Sequence, residues 1–369
     1  MHYIFFLTIS VIGSSGILAQ LLILRELLVS FYGNELTLGI ILANWIVSEA
    51  AGVFIMGKII RRAKNTSSVF VMLQIIFSLM LPLSVYLSRT FKSILGIPFA
   101  EAVGLNIVLC SSFLIMLPLS FCHGALFSTA CQIYSSYIKK PASSLGKIYA
   151  WETLGAILGG LILTYIFIPY LNSFQAVFII AMVNLGLCVF FLKGAQRYII
   201  LSLIIMIGLF LFKGGVNYLN KLSITRQWKP QPVLDYRNSV YGNIALTKKE
   251  GQFTFFYNGI PVITTPYPDI TYVQEFGNLP LLFSRSPKDV LLVSAGAGGL
   301  INEILKHPVK KVDYAELDPL IIKLLKKYPS KLTQTELEDP RVNIINSDGR
   351  FFVKNTPNKY DIVLIGLSK

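Results

Sequence analysis

The strongest constraint on this chain is a series of long, unbroken apolar runs crowded into its first 212 residues. A helix needs about 20 apolar residues to cross a hydrocarbon core. Six stretches reach or approach that length: residues 3–24, 36–56, 69–87, 103–131, 148–170 and 174–192. A seventh, 198–212, has 15 residues between Arg197 and Lys213, and spans if those two side chains snorkel to the interfaces. Composition agrees: 54% of the residues are hydrophobic and 14% charged, against about 25% charged in soluble domains. After Phe212 Lys, Asp, Glu and Pro become frequent, so the chain meets two environments and has at least two domains.

The amino terminus lacks a basic n-region and a small-residue cleavage site, so the first run reads as a retained span. Cys110, Cys122, Cys131 and Cys188 all lie inside apolar segments without a Cys-x-x-Cys spacing, which gives neither a metal site nor a disulfide framework. Much of the net charge of +14 sits in short loops between apolar runs, so the bilayer supplies the counter-ions. No basic, aromatic-interleaved strand or recognition helix supports nucleic-acid binding. Lys58, Arg61, Arg62 and Lys64 follow the second run, Lys139, Lys140 and Lys147 the fourth, and Lys193 and Arg197 the sixth. That bias places the amino terminus inside, yet seven crossings would then leave the carboxyl-terminal part outside, away from any cytosolic nucleoside. Three readings stay open: the seventh run does not cross, the long fourth run hides a crossing, or the soluble part is external. The expectation is a multi-pass protein of the plasma membrane with a cytoplasmic soluble domain.

Polar residues interrupt the runs: Arg25, Glu26, Asn44, Glu49, His123, and Glu152 beside Trp151. Charge at membrane depth is costly and tends to pair or to line a path. Interhelical pairing is the simpler expectation, with Gly155, Gly159 and Gly160 allowing close helix contact. A substrate or proton path is the alternative.

From Asn243 the period becomes alternating, with strands at 243–248, 252–257 and 260–264 separated by the turn dipeptides Glu250-Gly251 and Asn258-Gly259. Strands and helices then alternate: strand 290–293, a glycine-rich turn, a helix to Lys306, strand 311–315, helix 319–327, and strands 342–346 and 361–365. This is a doubly wound parallel sheet, whose ligand crevice lies at the carboxyl ends of the strands. Three features meet there. Gly296 and Gly298 belong to the turn Ser294 to Gly299, where the backbone can approach a ligand closely. Glu316 ends the second strand, where a carboxylate can accept ribose hydroxyls. Asp348-Gly349 ends the third, placed to accept an adenine amino group. Each alone is as well explained by tight packing or helix capping; together, in this order, they indicate a nucleoside site.

On these residues the chain resembles the spermidine synthase family of polyamine aminopropyltransferases, especially its membrane-fused bacterial members. The likeness is carried by VLLVSAGAGGLINEILKHPVKKVDYAELDP (residues 290–319), DPRVNIINSDGRFF (339–352), YDIVLIGLS (360–368), SVYGNI (239–244) and VQEF (273–276). In the apolar half it extends to LLILRELLVSFYGNEL (21–36) and GKIYAWETLGAILGG (146–160). The resemblance implies an α-helical transmembrane bundle (1–215), a linker with a small antiparallel β subdomain (216–275), and a partial Rossmann-like, class I methyltransferase-type domain (276–369). It also implies transfer of an aminopropyl group from decarboxylated S-adenosylmethionine, the cosubstrate, to a putrescine-like diamine, with no separate cofactor and no metal. Glu316 takes the ribose-binding place, Asp348 the adenine-binding place, and Gln274 a place near the amine. Self-association and choice of amine are left open. A methyltransferase shares the fold but not the hairpin region.

Departures from the family pattern fall on the side of the site that handles the cationic chains. The family's turn aspartate is Ala297, its catalytic aspartate is Gly366, an amine-binding acid falls at Lys369, and a motif glutamine is Gly242. The chain also ends just past its fourth parallel strand, which reads as a truncation. Two functions follow as expectations: a membrane-bound aminopropyltransferase, or a catalytically degenerate nucleoside-binding domain that regulates or stabilises a membrane bundle.

Overall fold

The computed structural model describes residues 2–63, 65–138 and 141–366. They form two compact units, residues 1–229 and 230–369. The basic loop residues Lys64, Lys139 and Lys140, and Lys369 at the family's amine-binding position, lie outside the described residues.

The first unit is helical. Its long helices are α1 (His2–Phe31), α2 (Glu35–Ile59), α3 (Thr66–Ile94), α4 (Leu105–Ile138), α5 (Pro141–Ile162), α7 (Ser173–Phe191) and α8 (Ala195–Phe212). A π-helical turn, Leu163–Phe167, continues α5 into the short α6 (Ile168–Tyr170). Among the described residues, seven stretches are long and apolar enough to cross a membrane. The fourth is one continuous 34-residue helix containing Pro118. The seventh has 18 residues, about 27 Å at 1.5 Å per residue, and takes Arg197 into its first turn.

Glycines set the closest helix pairs. A Cβ on Gly155 would lie 1.8 Å from the Ser10 carbonyl, and one on Gly124 would lie 2.1 Å from that of Glu49. Backbones therefore approach at α1–α5 and α2–α4 as only small residues permit. Gly159 also faces α1, 2.8 Å from the Ser14 carbonyl oxygen by the same measure, but nothing lies within 4 Å of Gly160, which takes no part in the close packing expected of it.

The polar residues of the apolar runs are bonded between helices. Glu26 and Arg89 form a buried two-pronged ion pair, both contacts 2.7 Å. Arg89 also donates to Asn220 and Ser223 on α9 (Gly215–Gln227). The stretch expected to begin a linker is thus a helix, fastened to the bundle by that arginine and followed by the buried Trp228, stacked 4.0 Å from Phe99. Asn44 reaches the Leu109 carbonyl and the Ser112 hydroxyl. His123 stands between Glu49, 2.6 Å from Nδ1, and Glu152, 3.6 Å from Nε2.

The second unit begins with an antiparallel sheet in the order β1 (Val233–Asn238), β2 (Asn243–Lys249), β3 (Gln252–Tyr257), β4 (Ile260–Thr265). Both predicted two-residue turns form: Glu250, Gly251, Asn258 and Gly259 all have φ between +48° and +84°, as type I′ hairpins require. The pairs Lys249–Gln252 and Tyr257–Ile260 close them. Strand β1 was not anticipated; it pairs with β2 through a bulge between Val233 and Asp235.

After α10 (Ile270–Phe283) come β5 (Asp289–Val293), α11 (Leu300–Leu305), β6 (Lys311–Glu316), α12 (Pro319–Lys327), α13 (Lys331–Glu338), β7 (Val342–Asn346), α14 (Gly349–Asn355) and β8 (Ile362–Ile365). The sheet order β7-β6-β5-β8 is parallel throughout, the doubly wound arrangement expected from the alternation of strand and helix. Its core gathers Val290, Leu292, Leu300, Ile304, Val312, Tyr314 and Leu325.

Candidate functional site

Four strand ends meet where the sheet reverses direction. Ser294 donates its N–H to the Ala315 carbonyl, Gly366 to that of Val293, and Ser347 to that of Glu316, at 2.9, 2.8 and 3.1 Å. These bonds carry the ladder one step past each strand and bring the glycine-rich turn, Glu316, Asp348 and Gly366 to a common edge.

The turn itself is strongly bent. Ser294 and Ala295 take φ of +59° and +52°, and Gly298 and Gly299 take +98° and +117°. The last two lie where L side chains are strained. Gly296 fits because a Cβ there would stand 2.6 Å from Leu292 and 2.8 Å from the Tyr314 ring. Ala297, where the family resemblance implies an acid, is buried in the apolar core.

Glu316 is buried, and both its carboxylate oxygens are engaged. Oε2 accepts the Tyr314 hydroxyl at 2.6 Å, and Oε1 accepts the Asp318 N–H at 3.3 Å. Burial raises its pKa above the ordinary carboxylate value, and the Tyr314 and Asp318 bonds only partly offset it. A ribose diol would therefore meet a carboxylate already oriented, with lone pairs left for further donors. Asp318 caps α12 through the Leu320 N–H and accepts the Ser239 hydroxyl. That contact ties the SVYGNI segment to the acidic end of β6.

Asp348 caps α14: its Oδ1 accepts the N–H groups of Arg350 and Phe351 at 2.9 and 3.0 Å. Gly349 is required by packing, since a Cβ there would lie 2.2 Å from Val293. Capping fixes the Asp348 carboxylate beside the end of β5. Gln274 is exposed on α10, one residue from Val273, whose Cγ1 approaches Gly299. Its side chain joins none of the bonds that unite the other site residues.

Gly366 has no room for a side chain in this conformation: a Cβ would meet the Ser294 carbonyl oxygen at 2.5 Å and the Ala295 Cβ at 2.9 Å. Gly242 is likewise crowded, by Asn258 and Tyr257. Two clefts of about 270 and 360 Å³ in this unit lie between α12 and α13 and beside β7 and α14, away from the glycine-rich turn.

Sequence reasoning missed Glu336. From α13 its fully buried carboxylate accepts the N–H groups of Gly298, Gly299 and Asn302 at 2.7, 2.6 and 3.2 Å. The available signal was an acid three residues after Thr333 on the inward face of a short helix, which Ser330 and Thr333 cap reciprocally.

Comparison with known proteins is informative for this unit. Residues 270–369 match the family described as the spermine/spermidine synthase domain. A polyamine aminopropyltransferase of Korarchaeum cryptofilum is 36% identical over 107 residues, 29% of this chain and 33% of that protein. Polyamine aminopropyltransferase 2 of Aquifex aeolicus is 22% identical over 307 residues, covering 82% of this chain and 60% of the relative. The crystal structure of spermidine synthase from Thermotoga maritima matches over 36% of this chain and 47% of its own, at 29% identity and a TM-score of 0.33. The chain spans about a third of the length of the curated relatives matched in this region. Residues 270–369 thus match the spermine/spermidine synthase domain, and in this region the chain is similar to polyamine aminopropyltransferases.

Proposed function

We propose that the chain is a multi-pass membrane protein of the plasma membrane whose second unit binds the adenine nucleoside of decarboxylated S-adenosylmethionine and serves aminopropyl transfer to a diamine. The observation that carries this reading is the convergence of Glu316 and Asp348 on the glycine-rich turn at the switch point of the sheet, where open α/β sheets hold their ligands. Glu316 would accept the ribose hydroxyls and Asp348 the adenine amino group. In the reaction, the diamine nitrogen attacks the aminopropyl carbon beside the sulfonium. The carbon–sulfur bond breaks, methylthioadenosine leaves, and the new secondary ammonium gives its proton to a base. The seven long apolar helices support a bilayer as the partner of the first unit. A nucleoside made in the cytosol requires the second unit to face that side.

A second reading has its own observation. Ala297 is buried in the core and Gly366 is sealed by the Ser294 carbonyl, so neither position carries the family's acid and Gly366 has no room for one. On this reading the domain binds the nucleoside without transferring anything and acts on the bundle. The two are separated with the full-length chain in lipid, given decarboxylated S-adenosylmethionine and a panel of diamines including putrescine. Release of methylthioadenosine above background supports transfer. Binding of methylthioadenosine by calorimetry without turnover supports the second reading, and absence of binding sinks both.

A further inference from the structure

The amides at the head of α11 are held by a side chain from another helix. Glu336 Oε1 accepts from Gly299 and Asn302 and its Oε2 accepts from Gly298, and the residue has no exposed surface. With both glycines at positive φ, their N–H groups turn away from the strand ladder. Buried N–H groups of this kind must be paired, and Glu336 pairs them. The same turn carries Gly296, whose carbonyl accepts the Ile301 N–H, and Ala297, so the path of the backbone facing the crevice depends on this carboxylate.

We infer that Glu336 is a positioning residue for the nucleoside site, its carboxylate setting the shape of the glycine-rich turn and its protonation releasing that shape. The inference rests on the nucleoside-binding reading above for its consequence, but not for its geometry. As a carboxylate the group accepts at both oxygens. Protonated, one oxygen becomes a donor among N–H groups that offer nothing to accept it. Burial raises this carboxyl to about 7, against the partial opposition of the three N–H bonds, so the change falls near neutral pH. No charged side chain contributes to that shift. Glu303 on α11 is occupied by Lys306 and Asn278, while Lys326 on α12 and Lys331 and Glu338 on α13 are exposed. From β4, Thr265 offers only a hydroxyl, bonded to that of Ser330. Glu316, at the ribose position, weakens binding on acidification in the same direction, so the Glu336 contribution must be isolated by substitution.

The test uses the full-length chain in lipid nanodiscs, with methylthioadenosine as the probe. Calorimetric titrations run from pH 8.5 to 5.5 on the unsubstituted protein and on Glu336→Gln and Glu336→Asp. The unsubstituted dissociation constant should rise by up to about tenfold per pH unit below 7. Glu336→Gln should bind more weakly at pH 8.5 and lack the step near 7, and Glu336→Asp should restore part of both. A pH profile in Glu336→Gln identical to that of the unsubstituted protein, or unchanged affinity in that variant, overturns the inference. Hydrogen–deuterium exchange of the peptide covering residues 294–302 supplies a readout that needs no ligand. Corrected for intrinsic rates, exchange should quicken below pH 7 in the unsubstituted protein and be fast at all pH in Glu336→Gln. Unaltered protection on acidification overturns the inference even if Glu336→Gln fails to fold. Absence of methylthioadenosine binding at every pH, with the exchange pattern as expected, would count against the nucleoside site and leave the role of Glu336 in the turn standing.

Discussion

Gly366 shows how a single position limits what this site can become. Its N–H extends the ladder to Val293, and a Cβ would press on the Ser294 carbonyl. Replacing Gly366 with Asp, as the family pattern would have it, should therefore not restore catalysis. It should lower stability by about 1–3 kcal/mol through overpacking, seen as a reduced Tm of the full chain, and an unchanged Tm would show that the turn yields freely. A second residue-scale prediction concerns pH. Glu336 is raised to about 7 by burial from a reference near 4.5. Its contribution to folding is fully present below 4.5 and is lost as pH rises through 7, up to about 3 kcal/mol. Glu316, also raised, acts with the same sign. For Asp313 burial works upward, but bonds from Lys311, Tyr360 and Asn343 outweigh it and hold the group below 3.8. Its contribution is thus lost only in stronger acid. Unfolding of the second unit followed across pH 4–8 should show stability falling as pH rises, with a shallower slope in Glu336→Gln. An identical slope would remove Glu336 from the account. Glu316 and Asp348 could be singled out only through their order after the glycine-rich turn, because an acid just beyond a β-strand is by itself as readily a helix cap, which Asp348 is. Glu336 could not be, because its partners are backbone amides 34 to 38 positions away, and no side-chain pattern marks them.

At the scale of elements, the bundle is joined at one end through charge. Glu26 on α1, Arg89 on α3, Ser173 on α7 and Ser223 on α9 share one buried network. Desolvating two charges is costly, so the pair need not add much stability, but removing one partner strands the other. Arg89→Leu or Glu26→Leu alone should cost about 3–5 kcal/mol, and the double substitution clearly less than the sum of the two. Thermal unfolding in detergent tests this, and additive losses would show that the groups do not depend on each other. Glu26 could be singled out in the sequence because, two residues past the first run and followed by Leu27, Leu28 and Val29, an acid has no ready partner among lipid headgroups. Arg89 could not, because it lies just past the third run, where a cation reads as an interfacial anchor. The same limit hid α9: its mixed composition suggests a linker until Asn220 and Ser223 are seen to meet a buried guanidinium. The hairpins, by contrast, were fully written in two dipeptides, because positive φ at adjacent residues is a local requirement. Strand β1 lacks such a signal at its bulged start and follows only from pairing with β2.

For the whole molecule, the decisive quantity is the number of crossings. The fourth apolar run is one continuous helix, and the seventh, at 18 residues, is long enough to span. Among the described residues, seven helices are thus long and apolar enough to span. Seven alternating spans put the α7–α8 loop on the side opposite to the segment leaving α8. Charge does not choose the orientation as firmly as the loops alone suggest, because that exit segment carries Lys213, Lys221, Arg226 and Lys229; basic residues thus flank both ends of the bundle. If the second unit uses a nucleoside made in the cytosol, the exit segment must be the cytosolic one. A variant with the four native cysteines replaced would carry one new cysteine, either Lys193→Cys in the α7–α8 loop or Tyr241→Cys in the second unit, both exposed positions. Treated in intact cells with a membrane-impermeant maleimide, the first should label at once and the second only after permeabilisation. Labelling of both without permeabilisation would mean that one helix does not cross. The reverse pattern would keep seven crossings but place the second unit where its proposed cosubstrate is absent, and the transferase reading would fall with it.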